Sequence, residues 1–125
     1  MILPPAVARA ARVVTRPGVR ATAGAKIILT FRAAGSDASR PPAARTYLIK
    51  QSLRPIRDAR SFESADALCK GSCRFSVTAP DTSLELTVTD LRPRRTYYYA
   101  VAARDNVSAR PGPPSSTVKA RTFRR

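Results

Sequence analysis

Residues 91–105, Leu-Arg-Pro-Arg-Arg-Thr-Tyr-Tyr-Tyr-Ala-Val-Ala-Ala-Arg-Asp, restrict the fold more than any other part of the chain. They read as a turn feeding a long alternating strand. Tyr97, Tyr99, Val101 and Ala103 fall on one face, and Tyr98, Ala100, Ala102 and Arg104 on the other. Side chains in extended backbone point to opposite faces at every step, so this alternation predicts a half-buried β-strand. Its approach, Leu91-x-Pro93-x-x-x-Tyr97, has the form of a tyrosine corner, in which a phenol closes a loop against nearby backbone. Tyr97 is therefore expected to satisfy a backbone group in the Leu91–Arg95 turn.

Turn signals separate further short strands. Lys26–Arg32 sets Ile27, Leu29 and Phe31 on one face, and Thr46–Ser52 sets Tyr47, Ile49 and Gln51 in register. Cys73–Val77, Leu84–Val88 and Ser116–Thr122 are strand candidates, with a turn at Ala79-Pro80-Asp81. Residues 35–42 carry loop chemistry, and Arg57–Leu68 reads as one or two helical turns with Phe62 and Ala65 available to pack, or as an irregular crossover. Near the start, an edge strand followed by a turn at Arg16-Pro17-Gly18 is expected, because proline and charge protect sheet edges. Six or seven strands of this kind make an all-β, Greek-key sandwich of the immunoglobulin-like class. Core candidates are Phe31, Tyr47, Leu86, Val88, Tyr99 and Val101. The chain divides into a Pro/Arg-rich segment over 1–20 that carries the first edge strand, a domain over 21–123, and a basic tail at 124–125.

Catalysis finds little support. The 125 residues contain no His, which removes Ser-His and Cys-His pairs and the usual imidazole metal ligand. The eight acids are scattered and form no carboxylate pair or calcium loop. Neither an enzyme activity nor a cofactor is expected. The net charge of +15 could serve a polyanion, yet the basic residues are mostly singletons and nearly all Arg. A solvated basic surface with compositional bias towards Arg, Ala and Pro is the simpler account.

Cys69-Lys70-Gly71-Ser72-Cys73 is the one chemically pointed motif. Zinc would need more ligands, and a redox Cys-x-x-Cys would need one residue fewer between the thiols. A local disulfide across a turn fits best, and two free thiols are the alternative. Such a small ring adds only about 2 kcal/mol and implies an oxidising compartment. Asn106-Val107-Ser108 is a formal glycosylation sequon, more often a loop sequence than a modified site.

The ordered motifs Ile27-x-Leu29-x-Phe31, Tyr47-x-Ile49 and Leu86-x-Val88-x-x-Leu91-x-Pro93-x-x-x-Tyr97-x-Tyr99-x-Val101-x-Ala103 resemble a fibronectin type III domain, from Pro4 to Thr122. Ser52-Leu53-Arg54-Pro55-Ile56 and Phe62-Glu63-Ser64-Ala65 are similar to segments of the variant found in bacterial secreted and cell-surface proteins. Two departures stand out: Phe31 replaces the family's second-strand Trp, and Gly35-Ser36-Asp37-Ala38 replaces its acidic loop. The resemblance implies that the third, sixth and seventh strands share a sheet. Leu48, Lys50, Tyr98, Arg104, Lys119 and Arg121 would then share one solvent face, a candidate binding surface.

The implied function is a non-catalytic spacer, adhesion or accessory module. Its partners would be neighbouring domains of a larger protein and a cell-surface polysaccharide or protein; nucleic acid is the less favoured polyanion. The start has no signal-peptide pattern, and no apolar run is long enough to span a membrane, so an exported location would come from a longer chain. Two rival readings are a polyanion-binding protein using the basic face and a C-terminal fragment of an extracellular hydrolase.

Overall fold

The computed structural model describes residues 14–37 and 40–124. The first thirteen residues of the Pro/Arg-rich segment and the last residue of the basic tail lie outside them. The described chain is a β-sandwich. One sheet runs in the order β1 (Thr15–Thr22), β2 (Lys26–Arg32), β8 (Ser83–Val88). The other runs β10 (Val118–Arg121), β9 (Thr96–Arg104), β5 (Thr46–Ser52), β6 (Asp66–Ala67), and β7 (Cys73–Arg74) also pairs with β5. All these pairings are antiparallel. The all-β, two-sheet expectation therefore holds.

Three local expectations give way to the structure. Arg16-Pro17-Gly18 is no turn; it lies inside β1, where the register to β2 slips between Thr15 and Gly18. β1 is an edge strand, so a bulge there accommodates Pro17, which has no N–H to give to a ladder. Residues 35–42 are not simply loop, because β3 (Gly35–Asp37) and β4 (Arg40–Ala43) pair with each other. The strand expected over Cys73–Val77 shrinks to Cys73-Arg74. The helical reading of 57–68 resolves to α1 (Ala59–Ser64), capped by the Asp58 side chain, which accepts the Ser61 N–H at 2.8 Å.

The main core joins the two sheets. Ile27, Leu29, Phe31, Tyr47, Ile49, Tyr99 and Val101 are all but inaccessible, Val88 is buried, and Leu86 packs at the margin. Phe31 meets Tyr47 at 5.0 Å between ring centroids and Phe75 at 5.7 Å. Phe75 and Tyr47 are themselves 5.7 Å apart, edge to face. Three rings thus pack together at the centre of the main core.

A second, smaller core lies on the outer side of the five-stranded sheet. Ile56 and Phe62 pack over Ala100 and Ala102, flanked by Leu48, Ala65 and Tyr98. Here β9 departs from the expected half-buried strand, since Ala100 and Ala102 are buried as well as their inward neighbours. Alanine at the outward positions lets α1 approach the sheet closely.

The register also fixes where the first and last described strands begin and end, at an entry pole and an exit pole. Thr15 aligns with Arg32, and Arg32 with Ser83, so β1 begins at the pole where β8 begins. β8 runs to the opposite pole, where the 89–95 loop turns the chain into β9. β10 ends there too: the Thr122 N–H donates to the Arg95 carbonyl at 2.9 Å, and the Thr122 hydroxyl to the Arg92 carbonyl at 2.6 Å. The start of β1 and the end of β10 stand at opposite ends of the sandwich.

Candidate functional site

The corner at the exit pole, where β10 ends, is built around Tyr97. Its side chain is buried, and its hydroxyl oxygen accepts the Arg92 N–H at 3.0 Å. Leu91 packs against the main core, while Pro93 is exposed at the loop tip. Thr122, which the sequence marked only as the end of the last strand, clasps the same loop from the other side by accepting the Arg95 N–H at 3.0 Å. Tyr97 on β9 and Thr122 just past the end of β10 therefore close one loop.

Cys69 and Cys73 are joined in a disulfide with Cα atoms 5.2 Å apart. Cys69, Lys70 and Gly71 all have positive φ, at 56°, 59° and 130°. The bridge closes this turn and carries the chain into β7, whose Cys73 and Arg74 align with Tyr47 and Thr46 of β5.

The six residues expected to form a binding face do lie on one side of the five-stranded sheet. Lys119 aligns with Tyr98, Lys50 with Ala100, Leu48 with Ala102 and Arg104 with Thr46, while Arg121 stands two residues beyond Lys119. They do not form one solvent face, because α1 crosses it. Lys50 is only 9% exposed. Its Nζ donates to the carbonyls of Glu63 and Ala65, both at 3.1 Å, and lies 5.6 Å from the centroid of Phe62. Lys50 is thus a fastener for the end of α1 and the segment after it. Leu48 and Tyr98 are half-buried against the same helix.

What remains is divided in two. Towards the exit pole, exposed Lys119 stands opposite Tyr98, its Nζ 6.0 Å from the ring centroid, and exposed Arg121 stands opposite Thr96. Towards the entry pole, Arg104 is half-buried and held by Ser72 Oγ at 3.0 Å and the Ala109 carbonyl at 3.1 Å. It stands among Arg45 and Arg74, two residues that sequence reasoning did not connect to it. The pairing of β7, β5 and β9 brings them together, and no local motif signals it.

Two buried tyrosines and the sequon serve structure. The Tyr47 hydroxyl accepts the Ala34 N–H at 3.0 Å, and burial outweighs that bond to push its pKa up to about 12. Burial also raises the Tyr99 phenol, with the neighbouring Tyr97 adding to the effect; its hydroxyl donates to Gln51 Oε1 at 2.8 Å. Asn106 bridges two loops, donating from Nδ2 to the Ala43 carbonyl at 2.9 Å and accepting the Arg45 N–H at 3.0 Å. That engagement explains the asparagine without glycosylation.

No family model and no curated protein sequence matches the chain. Solved structures do resemble it. The FN1–FN3 domains of chicken CNTN1 match over 90% of this chain at 20% identity and a TM-score of 0.58. The twitchin kinase region of C. elegans, Fn31-NL-kin-CRD-Ig26, matches over 87% at 16% identity and a TM-score of 0.53. A structure described as a myokine matches over 86% at 14% identity and a TM-score of 0.50, and there the match spans 93% of the other chain. The chain spans 32% of the CNTN1 structure and 16% of the twitchin structure. Its fold is a fibronectin type III-like β-sandwich.

Proposed function

We propose that this chain is a non-catalytic module that spaces or presents neighbouring domains of a secreted or cell-surface protein, in the manner of the bacterial fibronectin type III variant. One observation carries the reading: the first described strand starts at one pole and the last ends at the other, where Tyr97 and Thr122 lock the exit. A sandwich threaded this way transmits position along its long axis. The covalent loop at Cys69–Cys73 suits an oxidising compartment. Among the described residues, no helix is long and apolar enough to cross a membrane.

The test places the full chain between donor and acceptor fluorescent proteins, beside a Gly/Ser linker of equal length. A spacer gives a narrow transfer-efficiency distribution that sharpens no further in crowding agents. A distribution as broad as the linker's would count against the proposal.

A second reading, weak adhesion to an anionic surface polymer, is favoured by the exposed Lys119 and Arg121 beside Tyr98. A cation over an aromatic face can hold an anionic sugar while the ring stacks on it. Lys119→Glu with Arg121→Glu should abolish retention on a sulfated polysaccharide matrix, and Arg16→Glu with Arg20→Glu should only weaken it. Equal losses from the two pairs would reduce the effect to overall charge.

A further inference from the structure

At the entry pole, Arg74 of β7, Thr46 of β5 and Arg104 of β9 stand abreast, because Thr46 aligns with both arginines. Directly aligned residues in antiparallel strands project to the same side, and strands lie about 4.8 Å apart, so the two arginines straddle Thr46 about 10 Å from each other. Arg45, the residue before β5, lines the site as well. Its backbone is fixed on both sides, by Asn106 Oδ1 at 3.0 Å and by the Phe75 N–H, which reaches its carbonyl at 2.8 Å. Arg45, Thr46, Arg74, Arg104 and Asp105 line one cavity of about 130 Å³.

The guanidinium groups are unequally committed. Arg104 spends Nε and one Nη on Ser72 and Ala109, which aims the rest of the group and leaves its second Nη. Among the described residues, neither the Arg45 nor the Arg74 side chain has a hydrogen-bond or ion-pair partner. Asp105 is the acid on the lining, and its Oδ1 already accepts the N–H groups of Val107 and Ser108 at 2.8 Å. Three cations against one carboxylate leave two positive charges in the pocket.

We propose that this pocket binds a phosphate group as its dianion, either free or as the terminal phosphomonoester of a larger molecule. The lining arginines come from three separate segments, β7, β9 and the residue before β5, and a tetrahedral oxyanion can accept from several donors at once. Two net charges match a dianion, and arginine binds phosphate through paired N–H groups. The Cys69–Cys73 bridge anchors the two-residue β7 and so fixes the Arg74 backbone before any ligand arrives. The site is independent of the spacer reading.

The test is an NMR titration of the full, oxidised, ¹⁵N-labelled chain with inorganic phosphate and, separately, with glucose 6-phosphate. Saturable shifts should appear at the Thr46, Arg74 and Arg104 amides and at the arginine Nε–H groups. Because a charged hydrogen bond is lost, Arg74→Gln should weaken binding about tenfold, and Arg45→Gln similarly. Arg121→Gln, at the far end of the sheet, should leave it unchanged. Tighter binding of glucose 6-phosphate assigns the phosphomonoester as the source, and tighter binding of inorganic phosphate assigns the free ion. Shifts spread evenly over Arg20, Arg92 and Arg121, or wild-type affinity in folded Arg74→Gln and Arg45→Gln, would overturn the proposal.

Discussion

The Arg92 N–H meets the Tyr97 hydroxyl oxygen at 3.0 Å, a bond that ties the 89–95 loop to β9. Tyr97→Phe removes the acceptor and leaves every carbon of the core in place. Arg92 is exposed, so water can take over part of the bond, and the expected loss is about 1 kcal/mol. Tyr98→Phe should change stability by less than about 0.5 kcal/mol. Urea denaturation of both variants makes the comparison, and equal midpoints would remove the corner from the account.

Lys50 and Lys119 lie on the same side of the same sheet and should behave differently. Lys50→Met breaks two bonds from an ammonium group to carbonyls beneath α1, at a cost of about 1–3 kcal/mol. Lys119→Met, at an exposed edge, should stay within about 0.5 kcal/mol. Faster hydrogen exchange in 59–65, seen only for Lys50→Met, would identify the fastened segment.

Tyr47 and Tyr99 set the alkaline limit. Both phenols ionise above their ordinary value of 10.0 when folded, chiefly because burial disfavours the phenolate. The sign follows directly: the unfolded chain loses these protons first, so their contribution is complete below pH 10.0 and declines as pH rises through about 12 for Tyr47. Absorbance at the phenolate band, followed with circular dichroism, should show their ionisation coinciding with unfolding. Ionisation of Tyr47 and Tyr99 near the ordinary value in a folded protein would contradict the burial.

Reduction of Cys69–Cys73 should lower stability by about 2 kcal/mol without unfolding the sandwich, because the ring is small. Intact mass after alkylation without reductant checks the bridge, and addition of label at both cysteines would deny it.

Much of the fold was legible because period-two alternation reports directly on which side chains share a face. Tyr97, Tyr99 and Val101 are buried for that reason. The same alternation does not reveal what covers a face. Lys50 read as solvent-facing because nothing local shows that α1 folds back over it; the alanines at 100 and 102 were the available signal, since small outward residues invite a packed neighbour. Arg16-Pro17-Gly18 misled for another reason. Its turn chemistry is real, but a bulge on an edge strand uses the same residues. The grouping of Arg45, Arg74 and Arg104 depends on pairing among three strands distant in sequence, which no window along the chain contains.

The most direct test of the spacer account measures a distance. Spin labels at Arg16→Cys and Phe123→Cys in the full chain, with the native disulfide intact, report on the separation of the two poles by electron–electron dipolar spectroscopy. Strands of this length rise about 3.3 Å per residue, which predicts a single narrow population at about 25 Å or beyond. A population centred below about 15 Å would place entry and exit at the same end of the sandwich and contradict the account.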